Sequence, residues 1–287
     1  MNRLPLLMLL ILVMTRLWSA ADARGFSDAD FAAHLTTLKP TVPAGFTILI
    51  EKPFVVIGDQ EPAEVERQAV GVVRWAAALL TKDFFPKPPD AIYDIWLFRD
   101  KESYDRQVAK LTGSPPISVY GFCAPARKAL YMNIATGGGT LVHEMTHAYM
   151  HGNAPGCPPW LNEGLASLFE ATGRRDGHII GHLNWRLPAL QKALRTGTAP
   201  AFADLAKMDH TRFYGDDTGA HYGVARYLFY HLQERGLLRP FVAAWLAQQG
   251  EDPAGYSTLV KVLGDPDMAA FRAEWERLML ELKLPER

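Results

Sequence analysis

The pentapeptide HEMTH, residues 143–147, brings together three side chains that could form a catalytic metal centre. On a helix, residues four apart lie one turn above each other on one face, so His143 and His147 can direct their imidazoles at a single ion. Glu144 is rotated by about 100° from His143, which places it beside the ion rather than on it. A carboxylate at that place suits a general base that takes a proton from a water activated by the metal.

A second segment, WLNEGLA at residues 160–166, supplies a further acidic side chain. Two consecutive prolines precede it, and proline is favoured in the first turn of a helix, so we expect a second helix that runs to about residue 170. A catalytic zinc keeps three protein ligands and one open position, and two histidines with one glutamate are a known set. Glu163 is therefore the expected third ligand of one Zn²⁺ per chain.

A rival third ligand is His151, which continues the four-residue spacing of the histidines. Eight residues along a helix span about 12 Å, whereas a Zn–N bond is about 2.0 to 2.1 Å, so His143 and His151 cannot share an ion that His147 also binds. His151 is expected to end the helix, because Gly152 and Asn153 follow it as a stop signal and a cation suits that end. The metzincin spacing of a glycine and a third histidine is also absent.

HEMTH followed by WLNEGLA resembles the gluzincin metallopeptidases, the clan of thermolysin and the zinc aminopeptidases, in which an Asn-Glu motif on the next helix supplies the third ligand. Carried over position by position, the resemblance implies one base, Glu144, and three zinc ligands, His143, His147 and Glu163. It also implies a bilobal zincin-like fold. The short interval between HEMTH and Glu163 is similar to that of the compact peptidase-MA-like domains of bacterial secreted proteins.

The resemblance is strong over residues 137–170 and departs from the family at two points. Where thermolysin-like enzymes place an aspartate that orients a ligand histidine, this chain has Ser167, so Ser167 or Glu170 is the expected substitute. The segment before HEMTH is glycine-rich and offers no carboxylate to receive the α-ammonium group of a substrate. An endopeptidase is therefore expected rather than an aminopeptidase.

In gluzincins, a tyrosine or histidine of the helical lobe donates a hydrogen bond to the oxyanion of the tetrahedral intermediate. Here His221 and Tyr222 open a predicted helix. His221 lies on the apolar stripe of that helix and Tyr222 about 100° round from it. A histidine on such a stripe is more often a hydrogen-bonded core residue. His221 and Tyr222 are both candidates for the donor, and Tyr214 is a third.

The N-terminus has the features of a secretory signal peptide. A short basic start at residues 1–3 precedes an apolar run at 4–14, and small residues offer a cleavage site near Ala23. The run is short for a transmembrane helix, although an uncleaved anchor is the alternative. We expect residues 1–23 to be removed and the mature protein to be secreted or periplasmic.

Charge and length restrict the possible partners. The formal net charge is −1, which gives no basic footprint for a nucleic acid. After the signal peptide, no apolar segment is long enough for stable membrane insertion. The expected partner is a peptide or protein substrate, and the sequence leaves the oligomeric state open.

The chain contains two cysteines, Cys123 and Cys157. In an oxidising compartment they could form one disulfide that joins the segment before HEMTH to the loop before WLNEGLA. We expect this disulfide, with a pair of buried free thiols as the alternative.

Hydrophobic periodicity divides the chain into an α/β part and a helical part. We predict strands at 46–50, 54–57 and 92–98, helices at 62–82 and 100–111, and a hairpin at 119–134. Past residue 170 almost everything is expected to be helical, with helices at 183–194, 220–234, 239–248, 256–263 and 268–282. The expected fold is α+β: a single peptidase domain at 24–287, with a small mixed β-sheet in an α/β lobe at 24–155, a central HExxH helix and a mainly helical C-terminal lobe at 156–287.

The stretch at 128–134, just upstream of HEMTH, could be an edge strand that pairs with an extended peptide, or an ordinary core hairpin. The expected function is zinc-dependent hydrolysis of peptide bonds by an endopeptidase. Two alternatives remain: a catalytically silent, zinc-stabilised binding or assembly module of the cell envelope, and a zinc hydrolase of a non-peptide amide.

Overall fold

The structure is a computed structural model that describes residues 25–215 and 217–285. The expected signal peptide at 1–23 lies outside these residues. Within the described part of the chain, no helix has both the length and the apolar character needed to cross a bilayer.

The fold is α+β and contains a mixed five-stranded sheet. The strands in chain order are β1 (Thr47–Glu51), β2 (Phe54–Gly58), β3 (Tyr93–Phe98), β4 (Gly121–Ala124) and β5 (Ala129–Asn133). In the sheet they follow the order β1-β2-β3-β5-β4. β2, β3 and β5 run parallel, whereas β1 and β4 pair antiparallel at the two edges. The predicted strands and the predicted hairpin are therefore confirmed.

Of the two alternatives for 128–134, an edge strand or a core hairpin, the structure shows the core hairpin. β5 lies between β3 and β4, and all five of its residues are buried. A strand buried on both faces reads as a continuous apolar run, so its sequence does not show which neighbours it has. The edge next to it is the short strand β4.

Helices cover both faces of the sheet. Phe54 and Val56 of β2 face the core formed with α2 (Pro62–Gln68), α3 (Trp75–Asp83) and α5 (Gly138–Asn153). The alternate residues, Val55 and Ile57, pack with α1 (Asp28–Leu38) and α4 (Lys101–Thr112). Because successive strand residues point to opposite faces, two helical layers bury every residue of β2. The helix predicted at 62–82 is continuous in space, with a π-helical segment, Ala69–Arg74, between α2 and α3.

After α5, the chain forms α6 (Pro159–Leu168) and then a hairpin that the sequence analysis missed. β6 (Thr172–Arg175) pairs antiparallel with β7 (His178–Gly181). Asp176 and Gly177 make its two-residue turn, both with positive φ. Asp-Gly is a strong signal for such a turn, but the strands are too short to show alternation.

The remainder is helical, as predicted. The helices are α7 (Leu187–Thr196), α8 (Phe202–Leu205), α9 (His210–Phe213), α10 (Thr218–Glu234), α11 (Leu238–Gln248), α12 (Tyr256–Val262) and α13 (Met268–Glu281). The long helix α10 packs across α6. There the buried guanidinium of Arg226 donates from Nε to the Ser167 carbonyl (2.9 Å) and from Nη2 to the Leu168 carbonyl (3.4 Å). A cation at this position complements the C-terminal end of the α6 dipole.

The α6–α10 contact depends on Gly164. A Cβ atom at this residue would lie 2.8 Å from ring atoms of Phe229, which is almost fully buried. We expect Gly164→Ala to lower the free energy of unfolding by about 1–3 kcal/mol, because the overpacked ring cannot move freely. Urea denaturation measures this effect. Gly71→Ala is the control, since its Cβ meets no atom within 4 Å. Equal stability of the two variants would contradict the prediction.

Candidate metal centre

The glycine-rich segment before HEMTH allows α5 to start close to the turn after α6. A Cβ atom on Gly139 would lie 1.9 Å from the carbonyl oxygen of Glu170. Only glycine allows this approach. Gly139 therefore lets Glu170, in the turn after α6, approach the start of α5, and the side chain of Glu170 lies next to His143, the first histidine of α5.

Three ligand atoms from α5 and α6 converge. His143 Nε2 lies 2.9 Å from His147 Nε2 and 3.5 Å from Glu163 Oε2, and His147 Nε2 lies 3.7 Å from the same oxygen. His143 and Glu163 are buried, and His147 is half-buried. Glu163 Oε2 accepts no hydrogen bond although it is buried. A buried carboxylate oxygen without a partner is unfavourable, and a cation bound between it and the two imidazole nitrogens would remove this cost. The cluster could therefore hold a metal ion.

Two of the three ligand side chains, His147 and Glu163, are held by a hydrogen bond on the other side. His147 Nδ1 lies 2.9 Å from Asn162 Oδ1, and Glu163 Oε1 accepts a hydrogen bond from the Tyr214 hydroxyl at 2.5 Å. Since a carbonyl oxygen only accepts, Nδ1 of His147 carries the proton and Nε2 keeps its lone pair for the ion. His143 Nδ1 lies 3.5 Å from Glu170 Oε1.

Of the two expected substitutes for the orienting aspartate, Glu170 is the one beside a ligand histidine. Ser167 instead donates to the backbone carbonyl of Glu163. Glu170 is itself fixed, because Arg186 donates to both carboxylate oxygens at 2.6 and 2.7 Å and Asn184 Nδ2 donates at 2.9 Å. Sequence reasoning missed Asn162, Asn184 and Arg186. Asn162 could have been found as the neighbour of Glu163 in the motif, whereas the other two lie far along the chain.

Burial has the largest effect on the pKa values of His143 and Glu144. It lowers the pKa of His143 to about 3, with the neighbouring His147 acting in the same direction, so His143 is in the neutral form that binds metals. Burial also raises the pKa of Glu144 to about 7, a shift that His147 opposes and Glu163 reinforces. Glu144 can therefore both accept and return a proton near neutral pH.

The structure separates the three candidates for an oxyanion donor. Tyr214 and Tyr222 line the same cleft as Glu144 and the metal ligands. His221 does not line it, and its Nδ1 lies 2.9 Å from the Phe213 carbonyl. His221 is thus placed as a hydrogen-bonded core residue, the alternative that its apolar stripe suggested. His151 also lies apart from the ligand atoms, and its Nδ1 is 3.3 Å from Asp90 Oδ2.

The cleft around the centre has a volume of about 870 Å³. The edge strand β4 forms one wall through Gly121, Phe122 and Cys123. Trp185 and Arg186, from the segment between β7 and α7, also line the cleft. The ligand atoms are therefore reached from an open cleft that a strand edge borders.

The predicted disulfide is not formed, because Cys123 and Cys157 are both free thiols. Cys123 is on β4, whereas Cys157 lies in the loop between α5 and α6 with its Sγ 3.5 Å from the Pro158 carbonyl. Each packs separately against the apolar core, and burial raises the pKa of both thiols. The two cysteines flank the HEMTH motif in the sequence, but this closeness in sequence did not bring their sulfur atoms together.

No model of a known protein family matches this chain, and no curated protein matches it in sequence. The donor set of the centre is two imidazole nitrogens and one carboxylate oxygen, which suits a transition-metal ion.

We expect the protein to bind about one transition-metal ion per chain, and Glu163→Ala to weaken that binding by more than about 100-fold, because a ligand is lost outright. Metal content after dialysis against a competing chelator measures the effect. Glu251→Ala, which removes an exposed carboxylate, is the matched control and should keep its metal. Full occupancy of the Glu163→Ala protein under the same competition would show that the third ligand is misassigned.

Proposed function

We propose that this protein is a zinc-dependent metallopeptidase of the gluzincin type, with a zincin-like fold. The observation that carries the proposal is the convergence of His143 Nε2, His147 Nε2 and Glu163 Oε2 in a cleft that also contains the carboxyl group of Glu144. A purely structural zinc centre is closed by four protein ligands and needs no base. The three-ligand set with a neighbouring carboxylate therefore favours catalysis over a silent binding module.

His143, His147 and Glu163 would hold the zinc ion. When bound, zinc would supply Lewis acidity, which polarises a carbonyl group and acidifies a water molecule. Asn162 orients the imidazole of His147, and Tyr214 holds the second oxygen of Glu163. Glu170 lies 3.5 Å from Nδ1 of His143, on the side of the imidazole away from the other two ligands.

The protein's own groups account for the proton movements. Glu144 takes a proton from the attacking water, because its pKa of about 7 leaves much of it ionised at neutral pH. The protonated carboxyl then passes this proton to the leaving amine. Burial raises the pKa of Tyr214 and Tyr222, so both hydroxyls keep their protons. The proton of Tyr214 is donated to Glu163, which leaves Tyr222 as the donor to the oxyanion of the tetrahedral intermediate.

The edge of β4 gives a place for the substrate backbone. β4 has β5 on one side only and lines the cleft on the other. An extended peptide can add to this edge through main-chain hydrogen bonds, which do not depend on its sequence. Among the described residues, three carboxylates line the cleft, Glu144, Glu163 and Glu170, and all belong to the centre or to the Arg186 pair. None of the three is left for an α-ammonium group, which supports endopeptidase action. The signal peptide expected at residues 1–23 would direct the protein to the periplasm or outside the cell.

We expect Glu144→Gln to abolish peptide hydrolysis while zinc stays bound, because the amide keeps the shape of the side chain but cannot take a proton. A digest of a peptide library with mass-spectrometric readout measures activity, and elemental analysis measures zinc. Chelator treatment should also stop hydrolysis, and added zinc should restore it. Undiminished cleavage by Glu144→Gln would refute the assignment of the base. Cleavage of simple amides but of no peptide by the unsubstituted protein would favour the non-peptide hydrolase.

Endopeptidase action predicts that N-terminally blocked peptides are cleaved at least as well as free ones. The reason is that none of the carboxylates described in the cleft is available to bind the α-ammonium group of a free N-terminus. Matched hexapeptides with acetylated and free N-termini, compared by kcat/KM, test this directly. Faster hydrolysis of single aminoacyl amides than of blocked hexapeptides would instead establish an aminopeptidase.

A further inference from the structure

The segment between α4 and β4, residues 113–120, presents apolar side chains to solvent at the cleft. Ile117 is 82% exposed, Val119 55% and Tyr120 52%. Ile117 and Tyr120 line the cleft that contains the metal ligands. Single exposed apolar residues are ordinary, but a cluster of three beside a cleft marks a binding surface. We call Ile117, Val119 and Tyr120 the apolar rim.

The fold holds the rim in this position. The hydroxyl of buried Tyr104 donates to the Ser118 carbonyl at 2.8 Å, and the side-chain amide of buried Asn133 donates to the Val119 carbonyl at 3.1 Å. The backbone N–H of Asn133 donates to the Tyr120 carbonyl at 3.0 Å. Because interior donors fix three consecutive carbonyls, the rim side chains are kept outside the core. Their exposure is a property of the folded state.

The other part of the cleft lining also presents exposed aromatic rings. Trp185 is 59% exposed and Tyr214 39%. The guanidinium of Arg186 lies 4.2 Å from the ring centroid of Trp185, and Arg186 is fixed by its two hydrogen bonds to Glu170. A second segment of the cleft lining therefore also presents aromatic surface to solvent.

The charged side chains described in the cleft are paired or buried, so they give little electrostatic attraction to a charged substrate side chain. Among the described residues that line it, the only lysine or arginine is Arg186, which is paired with Glu170. The remaining acidic groups are Glu144 and Glu163, both buried within the centre. Basic or acidic side chains of a substrate would add little to the free energy of binding in this cleft. Apolar side chains would add more, because they would remove exposed apolar area from water.

We propose that the apolar rim and Trp185 select peptide segments with apolar or aromatic side chains near the cleaved bond. The proposal rests on the peptidase function above and adds the substrate class. The rim continues directly into the edge strand β4, where the backbone of an extended chain can pair. A bilayer is a poorer fit, because the rim borders a concave cleft and, among the described residues, the only lysine or arginine that lines this cleft is the paired Arg186.

Binding to the Glu144→Gln variant tests the substrate class without turnover. Two fluorescent, N-terminally blocked decapeptides of equal length and charge are compared by anisotropy, one alternating Phe or Leu with Ser and one containing only Ser, Asn and Gln. We expect the apolar peptide to bind at least about tenfold more tightly, since burying a single large apolar side chain accounts for such a factor. The double substitution Ile117→Ser with Tyr120→Ser should remove this preference.

Ile50→Ser is the matched control. Ile50 is 42% exposed and lies on β1, at the opposite edge of the sheet from β4, so its substitution should leave the preference unchanged. Circular dichroism of each variant checks that the fold is retained. Equal affinity for the two peptides, or an equal loss in Ile50→Ser and in the rim variant, would overturn the proposal. So would rim-dependent binding to phosphatidylcholine–phosphatidylglycerol vesicles with no peptide preference.

Failure of this inference is distinguishable from failure of the peptidase function. A rim-dependent preference in binding, with no hydrolysis of any peptide by the unsubstituted protein, supports the apolar site and refutes the peptidase. Hydrolysis of apolar and polar peptides with equal kcat/KM supports the peptidase and refutes the apolar site.

Discussion

The crowding of three electron-rich atoms at the base of the cleft is the constraint on which the rest of the structure depends. Two imidazole nitrogens and a carboxylate oxygen lie within 3.7 Å of one another, away from bulk water. Such an arrangement is unfavourable unless positive charge lies among the three atoms. The turn of a helix brings His143 and His147 together, but Glu163 belongs to another helix. The relative position of α5 and α6 therefore defines the centre.

That position is set by close backbone contacts and by one buried cation. Gly139 lets the start of α5 meet the turn after α6, and Gly164 lets α6 meet α10. Arg226, on α10, completes the hydrogen bonding of the last carbonyls of α6. None of these residues is itself a ligand, yet the contacts fix α5 and α6, the two helices that carry the ligands. Tyr222 lies in the first part of α10, so the packing of this helix also sets where the Tyr222 hydroxyl meets the cleft.

Local spacing accounts for what could be predicted from the sequence, and long-range pairing accounts for what could not. Helical spacing was enough to pair His143 with His147, whereas Glu163, on another helix, was identified from the known zinc donor set and the family resemblance. The sequence left open whether β5 is an edge strand, because β5 is buried on both faces and only its pairing with β4 shows which strand is last. The contact of Glu170 with Arg186 and the free state of Cys123 also depend on distant parts of the chain. Asn162 and Glu170 lie in or near the second motif, whereas Asn184 and Arg186 carried no local pattern.

The apolar core has a thermodynamic consequence. One continuous cluster contains Phe54 of the sheet, Leu141 of α5, Leu165 of α6 and Trp275 of α13. The centre lies between elements of this single cluster, so its geometry exists only in the native state. A metal ion that binds the native state alone would add about 2.7 kcal/mol to global stability at a free concentration 100 times its Kd. The supply of metal would then control how long the whole chain survives proteolysis, because the open, cleavable population falls by the same factor.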